Sequence, residues 1–106
     1  MKKKESMKTA IFNKYVEHVC KGTGVSKKQL FKKNRSIKFS TARYLLYAMC
    51  YQRPMSILQI AELMADNGYR TARQNIEYGL DKIFKSEDVD IVNFLRSANE
   101  SSELNS

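Results

Sequence analysis

The sequence is poor in the residues that break helices and in those that build reactive sites. Its 106 residues include one proline, four glycines and no tryptophan. The histidine is His18, and the two cysteines, Cys20 and Cys50, do not form a C-x-x-C spacing that would indicate zinc or redox chemistry. We expect two reduced, buried thiols and a histidine on the surface of a helix.

Several functional classes lack support. No apolar run follows the basic start to make a signal peptide, and none approaches the roughly 20 residues of a membrane span. There is no glycine-rich phosphate loop, no cysteine–histidine spacing and no carboxylate motif, and the acidic residues at 87–90 suit the first turn of a helix. We expect a cytoplasmic protein that is not an enzyme and that uses no cofactor, metal, membrane or small-molecule substrate.

Charge is divided unevenly along the chain. Residues 1–53 contain 14 Lys and Arg against two Glu, whereas residues 54–106 contain 5 against 9 Asp and Glu. A strongly basic half indicates a polyanionic partner, with nucleic acid as the first candidate and an anionic membrane surface as the second.

Hydrophobic periodicity predicts an all-α bundle of five to six helices. The predicted helices cover about 9–21, 26–32, 40–53, 56–66, 70–84 and 88–98. Capping-box spacings occur at Ser26–Gln29 and at Ser56–Gln59. We expect a basic flexible N-terminus at 1–8, one helical domain at 9–98 and a disordered polar tail at 99–106.

The fourth and fifth predicted helices, joined through "DNGY", have the pattern of a helix-turn-helix. Ile76, Leu80, Ile83 and Phe84 are spaced to face the core. Arginine pairs with guanine edges and Asn or Gln with adenine edges, so the start of the fifth helix suits the major groove. The predicted reading residues are Arg70, Thr71, Arg73, Gln74, Asn75 and Tyr78.

A basic connector precedes the third predicted helix. Lys32, Lys33, Arg35 and Lys38 occur in "KKNRSIKF", which shows no clear period. In a loop, such side chains can reach a phosphate backbone or enter a minor groove. Two separate basic elements in one small domain favour a nucleic-acid surface over a merely solvated charge run.

Four segments together resemble the C-terminal duplex-DNA-binding domain of the bacterial replication initiator DnaA, in the Trp-repressor-like group of helical folds. They are "GVSKKQLF" at 24–31, "KKNRSIKFSTARYLL" at 32–46, "SILQIAELM" at 56–64 and "NIEYGLDKI" at 75–83. The resemblance spans about 9–84. It implies that Arg35 enters the minor groove, that Lys33 and Arg43 lie near phosphate, and that the second helix of the pair reads the major groove.

The chain departs from that family at the reading helix and in its domain content. The family's Asp-His-Thr-Thr run is replaced by "YRTARQN", which implies a different target sequence. No G-x-x-x-x-G-K-[ST] motif is present, so the sequence contains no ATPase module of the initiator type.

Two functions follow from these patterns. The first is a small stand-alone double-stranded-DNA-binding protein, a transcription or replication regulator of the kind that phages and plasmids encode. The alternative is a protein-interaction module that modulates replication or transcription machinery without specific DNA binding. Under either function, the apolar stripe of 87–98 completes the core or forms a contact with a protein partner or a second copy of the chain. RNA stays open as a ligand, because basic loops serve either polymer.

Overall fold

Six helices make up the protein in a computed structural model that describes residues 7–34 and 36–104. They are α1 (Met7–Thr23), α2 (Lys27–Leu30), α3 (Ile37–Gln52), α4 (Ile57–Asp66), α5 (Arg73–Phe84) and α6 (Val89–Leu104). No strand occurs in these ranges, and the all-α prediction is confirmed. The predicted flexible N-terminus lies outside the described residues at 1–6, and α1 begins at Met7.

The core surrounds α3, which packs most extensively against α5 and α1. Helix α5 approaches α3 closely because Gly79 lacks a side chain. A Cβ atom at Gly79 would lie 2.4 Å from Cδ1 of Tyr44. The largest fully buried side chains come from five helices: Phe12, Leu30, Leu46, Tyr47, Met49, Ile60, Met64 and Ile76.

Both predicted capping boxes are confirmed. The amide of Gln29 donates to Ser26 Oγ at 3.1 Å, and Gln59 makes the same bond to Ser56 at 3.1 Å. Each glutamine also accepts the amide hydrogen of its serine. These reciprocal bonds satisfy free amides at the starts of α2 and α4 with side chains only three residues away.

Helix α3 begins earlier than predicted. Its first residue is Ile37, after Ser36, so the predicted start near Ser40 is wrong. The amide of Ser36 donates to Asn34 Oδ1 at 2.7 Å, which turns the chain into the helix. Lys38 therefore lies in the first turn of α3 and not in the basic connector.

Helix α5 begins later than predicted. Ala72 has an extended backbone, with φ −79° and ψ 154°, and the helix starts at Arg73. The connection from α4 consequently spans 67–72, with Gly68 at φ 88°. The prediction that Arg70 and Thr71 form the first turn of this helix is wrong, since both precede it.

Helix α6 completes one side of the core and extends past its predicted end at 98. Its helical backbone continues to Leu104, within the segment predicted as a polar tail. A Cβ atom at Gly22 would lie 2.2 Å from Cε1 of Phe94, so α1 and α6 are in close contact there. Leu95 is buried, whereas Val89 and Val92 are exposed.

His18 is half-buried and packs against Phe94, and so is not the freely exposed residue that the sequence predicts. Its ring centroid lies 4.7 Å from that of Phe94, and its Nε2 atom is buried without a hydrogen-bond partner. Burial, and secondarily the charge of Lys21, lower the pKa of His18. The neutral imidazole is therefore the form that packs between α1 and α6.

Both cysteines lie within the described residues and neither forms a disulfide. Cys20 is half-buried and Cys50 is buried, and both are free thiols whose pKa is raised by burial. No helix in 7–34 or 36–104 has the length and apolar character that a membrane span requires.

Candidate nucleic-acid interface

Arg43 is a structural residue and not a phosphate contact. Its side chain is 3% exposed. Its guanidinium donates to the carbonyl oxygens of Leu30 at 3.1 Å, Lys32 at 3.2 Å and Asn34 at 2.7 Å. The prediction for Arg43 is therefore wrong, because a side chain so enclosed cannot reach DNA. It holds the backbone that carries the basic connector.

Tyr69 joins the basic connector to the turn between α4 and α5. The guanidinium carbon of Arg43 lies 4.8 Å from the centre of the Tyr69 ring, and Lys33 Nζ lies 4.5 Å from it. Cations over an aromatic face are attracted by the ring quadrupole. Lys33 Nζ also donates to the carbonyl oxygen of Arg70. Two segments that are far apart in sequence thus meet at one place.

This contact brings the basic connector next to the residues that lead into α5, and we define Lys32, Lys33, Arg70 and Arg73 as the basic surface. All four side chains are exposed. Arg70 and Arg73 are three residues apart, a separation of at most about 10 Å. No Asp or Glu occurs in the sequence between Glu17 and Glu62, so the connector side of this surface has no acid within its own segment.

The first turn of α5 is open to a ligand. Arg73, Gln74 and Asn75 are exposed, and the first turn contains no acidic residue. Ala72 offers no side-chain acceptor for the first amides of the helix. An anion near this turn would interact favourably with those amides and with the helix dipole.

Thr71 contributes mainly to the structure of this turn, because its side chain is only partly exposed. It is half-buried next to Tyr47, whose pKa is raised by burial and lowered by the interaction with Thr71. Nδ2 of Asn75 donates to Thr71 Oγ1 at 3.3 Å. Thr71 thereby links the start of α5 to the middle of α3.

Two other predicted site residues contact residues outside the basic surface, and one cannot be placed. Tyr78 packs edge-on against Tyr44 with centroids 6.0 Å apart, and it lines a recess with Ile37 of α3. A Cβ atom at Gly24 would lie 3.7 Å from Lys38 Nζ, so Lys38 extends towards the turn between α1 and α2. Arg35 lies outside the described residues.

The sequence patterns missed Tyr69 and Asn34. The sequence analysis includes Tyr69 only as part of the turn, although an aromatic residue directly after a glycine turn is a usable signal for a packing role. Asn34 was one polar residue among lysines, and its function depends on Arg43, which no local pattern connects to it. Among the described residues, no three His, Cys, Asp or Glu side chains cluster as a metal site.

Comparisons of the chain with protein-family models, with curated proteins and with solved structures find no match.

Proposed function

We propose that this protein binds double-stranded DNA, with α4 and α5 acting as a helix-turn-helix and the basic connector lying along the backbone. The single observation that carries the proposal is the contact of Lys33 with the carbonyl of Arg70. It unites two basic segments that the sequence suggested separately. A joined basic surface on a rigid helical support matches the electrostatic footprint of a nucleic-acid-binding domain.

The proposed roles divide between positioning and reading. Lys32, Lys33 and Arg70 contact phosphates and fix the register of the protein on the duplex. Arg73 and Gln74, at the exposed start of α5, contact base edges in the major groove, where arginine suits guanine and glutamine suits adenine. The exposed amides of the same turn favour a phosphate nearby.

The resemblance to the DnaA duplex-binding domain supports the same arrangement from the sequence side. It assigns minor-groove entry to Arg35 and groove reading to the helix that corresponds to α5. The burial of Arg43 changes one role that the resemblance implies. The Arg43 guanidinium holds the backbone of the basic connector and does not lie near phosphate. The physiological role that we propose is regulation of transcription or replication by occupancy of a site.

The first experiment measures binding to a random duplex pool by fluorescence anisotropy at increasing salt, with sequencing of the retained DNA. If about six phosphates are neutralised, affinity should fall about a thousandfold between about 50 and 200 mM salt. An enriched motif is expected in the retained fraction. Parallel titrations with duplex RNA test the other polymer.

Two variants, each lacking one positive charge at one end of α5, distinguish base reading by Arg73 from the general electrostatic attraction of the protein to DNA. Arg73→Ala should weaken binding to the enriched motif by about tenfold and relax the base preference at one position. Lys85→Ala removes the same charge from the other end of α5, where Lys85 pairs with Asp81 at 3.0 Å, and should bind like the parent chain. Equal losses in both variants, or no binding at low salt, would overturn the proposal. In the second case the protein-interaction alternative takes its place.

A further inference from the structure

The C-terminal ends of α3 and α5 present aromatic side chains to solvent. Tyr51 is 46% exposed and Phe84 is 44% exposed, and their ring centroids lie 6.2 Å apart. The prediction that Phe84 faces the core is therefore wrong. Phe84 also lines a recess of about 300 Å³ together with Val92 and Arg96 of α6. We define Tyr51, Phe84 and Val92 as the apolar patch.

Charged residues flank Val92 of this patch, one on α6 and one directly before its first residue. Asp88, Val92 and Arg96 are spaced four residues apart, so an acid, an apolar residue and a base follow one another at intervals of about 6 Å. Asp88 is held in place, because its Oδ1 accepts the amide hydrogen of Asp90 at 2.9 Å. Val92 is 42% exposed, and Arg96 is exposed.

This order of charges is self-complementary. If a second α6 lies antiparallel to the first, with a twofold axis beside Val92, Asp88 of each helix faces Arg96 of the other. An isologous interface requires a surface that complements itself in this way. A partner of one charge sign could satisfy only Asp88 or only Arg96, whereas a second copy satisfies both.

We propose that this face is a homodimer interface, in which α6 packs antiparallel to α6 of a second copy and the apolar patches cover one another. Phe84 lies at the opposite end of α5 from Arg73, about 16 Å along the helix axis. The interface therefore leaves the basic surface free. If the proposed DNA-binding function also holds, the dimer carries two twofold-related reading helices and its site is an inverted repeat.

The test is sedimentation equilibrium of the full chain without DNA, from micromolar to submillimolar concentration, so that its outcome is independent of DNA binding. The parent chain should show a concentration-dependent monomer–dimer equilibrium. Phe84→Glu should raise the dimer dissociation constant by about tenfold or more. Leu58→Glu is the matched control: Leu58 is an exposed apolar residue on α4, a helix that contributes none of the three patch residues, and this change should leave the constant unaltered.

Charge reversal tests the antiparallel arrangement itself. Arg96→Glu and Asp88→Lys should each weaken self-association, because each places like charges in contact at both ends of the twofold interface. A mixture of the two variants should form a heterodimer, since both contacts are then attractive. Far-UV circular dichroism establishes that each variant is folded, and Asp88→Asn, which keeps a capping side chain, replaces Asp88→Lys if the latter is not.

Three results would overturn the proposal. They are a parent chain that stays monomeric at submillimolar concentration, a dimer equally affected by Phe84→Glu and Leu58→Glu, and a dimer indifferent to Arg96→Glu.

Discussion

The two ends of α5 differ in their contacts with the rest of the molecule and in the chemistry of the side chains that they expose. At the N-terminal end, exposed charge rests on a supported backbone: the Thr71 hydroxyl accepts a hydrogen bond from Asn75, and the carbonyl oxygen of Arg70 accepts one from Lys33. At the C-terminal end, Lys85 is paired with Asp81, and the exposed surface is the ring of Phe84. The charged surface and the exposed aromatic ring therefore lie at opposite ends of α5.

The difference lies in what holds each end. Near the start of α5, a buried guanidinium satisfies three carbonyl groups of the connector, so the charged surface is organised before any ligand arrives. Near the end, Lys85 pairs with Asp81, and the rings of Tyr51 and Phe84 lie against each other. Preorganised charge suits a polyanion, and an exposed apolar patch suits another protein surface.

The largest expected effect comes from breaking the support of the charged end. Arg43→Met keeps much of the side-chain volume but leaves the carbonyls of the connector without their donor. We expect a loss of about 3 kcal/mol in the free energy of unfolding, since buried bonds to a charged donor are lost and acceptors stay unsatisfied. Urea denaturation measures it.

Arg73→Met is the matched control for this prediction, because it makes the same substitution at an exposed site. Its unfolding free energy should stay within about 0.5 kcal/mol of the parent. If Arg43→Met unfolds at the same urea concentration as this control, the guanidinium is not a structural support.

An intermediate effect is expected from Gly79→Ala, which forces α5 away from α3. The new methyl group overlaps the Tyr44 ring, and overpacking of this kind costs about 1–3 kcal/mol. In a Tyr44→Ala background the overlap is gone, and the better helix propensity of alanine should make the same change stabilising by up to about 1 kcal/mol. A double-mutant cycle by thermal unfolding compares the two. Similar effects in both backgrounds would contradict the close contact.

The smallest effect is a pH dependence on the α6 side. The pKa of His18 is lowered in the folded protein, so the unfolded chain takes up a proton more readily. The contribution of His18 to stability is therefore present above its ordinary pKa of about 6.5 and is lost as the pH falls through the lowered value. Thermal melts of the parent and of His18→Gln should differ most at neutral pH and converge in acid. A constant difference at every pH would mean that His18 does not titrate as described.

Some features of the fold could be read directly from neighbouring residues. The two capping boxes join residues three apart, and the buried Ile76, Leu80 and Ile83 repeat at helical spacing. The structure confirms the capped starts of α2 and α4 and the buried face of α5. The helix starts were less predictable: α5 begins behind Ala72, a residue that carries no capping signal.

The site was only partly predictable for the same reason. The exposed positions of Lys32, Lys33, Arg70 and Arg73 follow from their chemistry, since charged side chains stay in water unless they are paired. Arg43 has the same chemistry and is buried. Its partners are carbonyl groups 9 to 13 residues earlier in the chain and the ring of Tyr69, and no periodic pattern reports such contacts.

By itself the sequence determined the helical class, the capped starts of α2 and α4, and the division of charge between the two halves of the chain. Those features depend on interactions within a few residues or on composition. Only the tertiary structure decided that Arg43 supports the connector, that Lys33 meets Arg70, and that Phe84 lies outside the core. Each of these depends on which distant segments pack together, because burial and hydrogen-bond partners are properties of neighbours in space.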